Sequence, residues 1–83
     1  MILPTKRVTA EQALLAVGAE VLAIIGQRQR TVSQVWTRFQ RQRTSQPAAG
    51  YVTYDWFVLS LDLLFALGAI EFGRGMLRVS RAH

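Results

Sequence analysis

The chain has 83 residues, a formal charge of +5 and a pI near 11.2, a length that fits one domain. It has no cysteine, which excludes disulfides, cysteine-ligated zinc and thiol chemistry, and its single histidine, His83, is the last residue. Hydrophobic residues make up 51% of it. A domain this small buries only about 60% of the surface its unfolded chain exposes, so some of that apolar material is expected to face outward and mark a partner.

Residues 1–8 include Pro4 and show no helical period; they read as an extended arm ahead of a domain over 9–80, with 81–83 as a disordered tail. Thr9 is a good N-cap for a first helix over Ala10–Ile25, with Glu11 in its first turn. Leu14, Val17, Val21 and Ile24 recur at helical spacing, and Leu15, Leu22 and Ile25 widen the stripe. Gly18 in mid-helix is either tolerated or lets another helix approach closely, and Gly26 ends the segment. Thr31-Val32 supplies a candidate short strand. Ser33 is then the expected cap of a second helix over Gln34–Gln42, with Val32, Val35, Trp36 and Phe39 on one face and Arg38 and Arg41 opposite. Thr44–Gly50, with Pro47, is the clear loop.

Thr53 caps a third helix from Tyr54 to Leu67, and Gly68 stops it. The tail reads as a β-hairpin, Ala69–Phe72 and Met76–Val79. Alternation sets Phe72 opposite Leu77, Glu71 opposite Arg78 and Ile70 opposite Val79, around a turn centred on Arg74-Gly75. The fold class is therefore mainly α with a small hairpin, in the order of a winged helix-turn-helix: three helices and a wing.

A DNA-reading third helix presents arginine, lysine or amide side chains to base edges and phosphates. This one has none, and its charges, Asp55 and Asp62, repel phosphate. On a helical wheel Phe57, Leu61 and Leu64 suffice to face the core. Trp56, Leu63 and Leu67 lie on one flank, Val58 and Phe65 on the other, and Leu59 near the acidic edge. A helix apolar nearly all round is normally buried on more than one side, which makes Trp56, Leu59, Leu63 and Phe65 candidate protein-interface residues.

The basic character is localised. Between Gln27 and Gln46 stand Arg28, Arg30, Arg38, Arg41 and Arg43 with no acid, while the remaining residues balance. With Arg74, and with Lys6, Arg7 and Arg78 where the fold brings them near, these are candidate contacts to nucleic-acid phosphates, bound non-specifically, or to an acidic protein; the plainer reading is a solvated face that keeps the domain soluble. The scattered carboxylates offer no metal or catalytic constellation, and no phosphate-binding loop is present, so neither a cofactor nor an enzyme is expected. No stretch has the roughly 20 apolar residues a membrane span needs, and the start lacks a secretory pattern, so a cytoplasmic protein is expected.

Ile2-Leu3-Pro4-Thr5-Lys6, Val17-Gly18-Ala19-Glu20 and Asp55-Trp56-Phe57-Val58-Leu59, running on to Leu67-Gly68-Ala69-Ile70-Glu71, resemble the small middle components of bacterial ABC-three-component systems, in particular the sixth type. The resemblance covers nearly the whole chain. It implies a non-catalytic adaptor in an antiviral defence-type module, docking on an SMC/RecN-like ABC ATPase or on the large companion subunit. A basic DNA-binding winged helix that contacts phosphates through its second helix and wing is the alternative, and a homodimer a third.

Overall fold

Each helix begins on a threonine in extended backbone conformation. In the computed structural model, which describes residues 9–45 and 50–80, the elements are α1 (Ala10–Ile25), α2 (Val32–Thr44), α3 (Tyr54–Ala66), β1 (Ile70–Gly73) and β2 (Met76–Val79). The expected arm with Lys6 and Arg7, the tail over 81–83 and Pro47 lie outside the described residues. Thr9 accepts from the Gln12 amide while the Gln12 side chain accepts from the Thr9 amide, a reciprocal pair that satisfies two otherwise orphaned donors. Thr31 and Gln34 repeat this at α2. Thr53 accepts from Trp56 at 3.3 Å; with tryptophan in that position there is no reciprocal bond.

The cap of α2 corrects the sequence expectation. Ser33 and Thr31 are both plausible caps, but only Thr31 has a glutamine three residues on to close the box. The helix therefore starts at Val32, and the expected strand at Thr31-Val32 does not form. One residue earlier, Arg30 makes an isolated antiparallel bridge to Leu77: its amide donates to the Leu77 carbonyl at 3.0 Å and its carbonyl accepts at 2.6 Å. The helix also continues to Thr44, where the sequence suggested a loop. At α3 the Ala69 amide reaches the Leu64 carbonyl and the Gly68 amide the Phe65 carbonyl. Gly68, at φ 73°, takes the left-handed conformation that this closure requires.

The hairpin has the expected register: Ile70 pairs with Val79, Glu71 with Arg78 and Phe72 with Leu77. Arg74 (φ 55°) and Gly75 (φ 76°) both lie at positive φ, the two-residue turn whose twist suits a hairpin. Glu71 and Arg78 meet at 3.5 Å on the exposed face. On the other face Ile70 and Leu77 are buried, whereas Phe72, nearer the tip, is exposed. Three helices and a two-stranded wing that touches the start of α2 make a winged-helix-like layout.

The core joins Val17, Val21 and Ile25 of α1, Val35 and Phe39 of α2, Phe57, Leu61 and Leu64 of α3, and Ile70 and Leu77 of the wing. The three α3 residues are those the wheel assigned inward. Leu15 is not part of it: it stands outward and half exposed. Trp36, Phe39, Tyr54 and Phe57 link α2 to α3 by ring contacts, with Trp36 and Phe57 centroids 4.9 Å apart and Trp36 edge-on to Tyr54 at 5.1 Å. Ser60 is fully buried and donates to the Phe57 carbonyl at 2.7 Å.

Gly18 settles which reading of a mid-helix glycine applies. A Cβ built there would stand 3.1 Å from Leu64 Cδ2, and Leu64 is itself buried. The missing side chain lets α3 lie against α1. Gly18→Val is therefore expected to destabilise the domain by about 1–3 kcal/mol through overpacking. Gly18→Ala should come out near neutral, because about 1 kcal/mol of helix propensity offsets a milder clash. Chemical denaturation of the two variants checks this; a valine variant as stable as the parent contradicts the close approach.

Candidate interaction surfaces

At about 100° of rotation per residue, the inward arc of α3 (Phe57, Ser60, Leu61, Leu64) leaves two apolar flanks. On the flank toward α1 stand Trp56 and Leu63, both half-buried, and Leu67, which is exposed. Leu59 is half exposed beside them, next to the exposed acids Asp55 and Asp62. Trp56 also packs in part against the core. Phe65 is exposed as well, but it points elsewhere, turned by roughly 120° from Leu59 and roughly 160° from Leu63. Of the four candidate interface residues, three therefore share one strip and the fourth belongs to the opposite flank with Tyr54 and Val58.

The strip has a neighbour that the sequence reading assigned to the core. Glu20 on one side of α1 meets α2, while Gly18 on the other side meets α3. The outer edge of α1 on its α3 side carries Leu15 and Leu22, spaced three and four residues from Gly18. Leu15 is 48% exposed and Leu22 half-buried. Leu15 and Leu22 thus border the same helix–helix seam as Leu63 and Leu67. The signal was present in the spacing: Ala16, Ala19 and Ala23 continue outward from these leucines, so α1 has no charged outer face beyond Glu11.

The arginines divide into two groups. Arg43 grips Glu20 of α1 through Nε at 3.1 Å and Nη2 at 3.0 Å, and its guanidinium lies 5.2 Å from the Phe39 ring centroid. Arg30 donates from Nε to the Ile24 carbonyl at 3.0 Å. Partial burial, with Arg38 and Arg28 nearby, holds the Arg30 guanidinium below its ordinary value, while it remains protonated as guanidinium does in proteins. Arg43 ties α2 to α1, and Arg30 ties the connection before α2 to the last turn of α1. Arg28, Arg38, Arg41 and Arg74 are exposed, and no described ion pair includes them. Arg74 sits on the hairpin turn, away from the α2 group in sequence and element. Among the described residues no three His, Cys, Asp or Glu side chains gather as a metal site would require, and no helix is long and apolar enough to cross a membrane.

Apolar and cationic side chains thus stand outward on different elements of a small winged-helix-like frame. The chain belongs to the ABC-three component (ABC-3C) system Middle Component 6 family, which matches residues 3–79. No curated protein and no solved structure matches it. Family membership makes it one component of a multi-component system, the identity implied by the motifs around Gly18 and Trp56.

The division of the arginines has a measurable consequence. Arg43→Ala removes a two-point contact whose carboxylate is 35% exposed, so solvent screening trims its worth to about 1–2 kcal/mol. Arg41→Ala is expected to change stability by less than about 0.5 kcal/mol. Thermal unfolding of the two variants tests the assignment, which fails if they are equally stable.

Proposed function

We propose that the domain is a non-catalytic adaptor of its system, docking on a larger protein component through the apolar strip of α3. Within a module of defence type, that component is the SMC/RecN-like ABC ATPase or the large companion subunit. The observation that carries this reading is the strip itself: Leu59, Leu63 and Leu67 remain outside a core that Phe57, Leu61 and Leu64 already fill. Trp56 lies at its edge, and Leu15 and Leu22 extend it across the seam.

Magnitudes set what the strip can do. Fully burying a leucine is worth about 1.5–3 kcal/mol, so a half-exposed one has roughly 1 kcal/mol left to gain. Four or five such residues supply about 4–5 kcal/mol, near the low end of the cost of bringing two proteins together. The strip therefore acts as the anchor of a larger interface, with its acidic border at Asp55 and Asp62 as a polar rim. Phe65 lies on the other flank, so a single flat partner surface meets Leu59 and Leu63 without it.

Co-expression with the other components tests the docking. Leu59→Asp and Leu63→Asp are expected to abolish co-purification while the helical circular-dichroism signal of the isolated domain persists. Retention of the complex by both variants rules the strip out as the interface. A stable dimer of the isolated domain that Leu59→Asp converts to monomer would instead assign the strip to a second copy of this chain.

A further inference from the structure

The pentapeptide Gln-Arg-Gln-Arg-Thr occurs twice, at residues 27–31 and 40–44. The first copy is the connection into α2 and ends on its N-cap; the second closes the helix. The arginines of the two copies divide in the same way. The second arginine of each turns inward, Arg30 to the Ile24 carbonyl and Arg43 to the Glu20 carboxylate. The first arginine of each, Arg28 and Arg41, stays exposed. Arg38 is exposed between them on α2, one helical turn before Arg41, and Arg28 and Arg38 both lie close enough to Arg30 to lower its proton affinity. The exposed α2 positions around Arg38 and Arg41 are Gln34, Thr37 and Gln42. No acid occurs anywhere from Gln27 to Gln46.

We propose that this face, with Arg28, Arg38 and Arg41 as its charges and Thr37 and Gln42 among its neutral donors, binds the phosphate backbone of double-helical nucleic acid without reading bases. Arginine together with Ser, Thr and Gln side chains is the group set that contacts phosphate oxygens. The surface has no exposed apolar or aromatic anchor, which a protein interface needs at its centre and a single-strand binder needs for base stacking. Arg38 and Arg41 stand one turn apart on α2 and Arg28 lies in the connection before it, so the three separate charges suit a row of phosphates better than one small acidic group. Glu20 and Glu71 are held by Arg43 and Arg78, and Asp55 and Asp62 belong to α3. The proposal does not depend on the docking strip, and either one stands if the other fails.

Salt titration of duplex binding provides the test, with fluorescently labelled duplex DNA and RNA, single-stranded DNA of equal length, and poly-glutamate as competitor. Three phosphate contacts predict a log–log slope of about −2.7 against salt on B-form DNA, or about a 500-fold weakening between about 20 and 200 mM. Each of Arg28→Gln, Arg38→Gln and Arg41→Gln should shallow the slope by about 0.9. Leu59→Asp should leave it unchanged. Binding unaffected by duplex sequence is expected, and the DNA and RNA arms identify which duplex is preferred. The proposal is overturned if duplexes fail to bind at about 20 mM salt, if the triple arginine variant binds like the parent, if single strands bind more tightly than duplexes, or if poly-glutamate displaces the duplex at equal charge concentration. The last result assigns the face to an acidic protein instead.

Discussion

The contact on which the rest of the structure depends is the approach of α3 to α1 at Gly18. A side chain there would meet Leu64 at 3.1 Å; its absence lets the two most apolar helices share a seam instead of standing apart around a wider core. Once α3 is seated in this way, Phe57, Leu61 and Leu64 complete the interior with Val17, Val21 and Ile25, and the wing seals the end through Ile70 and Leu77. Among the described residues no further element lies over the outer border of this seam. The apolar side chains on the outer border of the seam, Leu15, Leu59 and Leu67 among them, are left facing solvent by the same packing that makes the domain stable.

Among the described residues, basic charge is kept off that seam. The helix that carries the exposed arginines meets α1 through the Glu20–Arg43 pair and meets α3 through aromatic rings. α2 therefore takes part in the core through Val35, Phe39 and Trp36 while its outer surface stays polar and acid-free. The result is two surfaces of opposite character on one small frame. A guanidinium beside the strip would have to be desolvated in an apolar interface, a costly step without a partner charge, so the segregation lets each surface be used without disturbing the other.

Much of this was legible in the chain. The hairpin register followed from period-two alternation, because a slip by one residue would have turned Ile70 and Leu77 to solvent and Glu71 and Arg78 to the core. α1 was bounded correctly by Thr9 and Gly26, and the inward face of α3 by the wheel. The start of α2 was not, since Thr31 and Ser33 are alike as single residues and differ only in whether Gln34 completes the cap. Leu15 was misassigned because leucine on a core stripe and leucine on an outer edge are the same letter, whereas Leu22 does pack against the core from its border. Arg43 looked like its exposed neighbours because its partner, Glu20, is on another helix.

Hydroxyl-radical footprinting reads the central claim directly, because it reports side-chain exposure in the free domain and in the assembled system alike. On assembly, Leu59, Leu63, Leu67 and Leu15 are expected to lose most of their reactivity, while Phe72 near the wing tip keeps its own. Undiminished reactivity of Leu59, Leu63 and Leu67 in the complex would contradict the account, because the partner would then be held by some other surface of the domain.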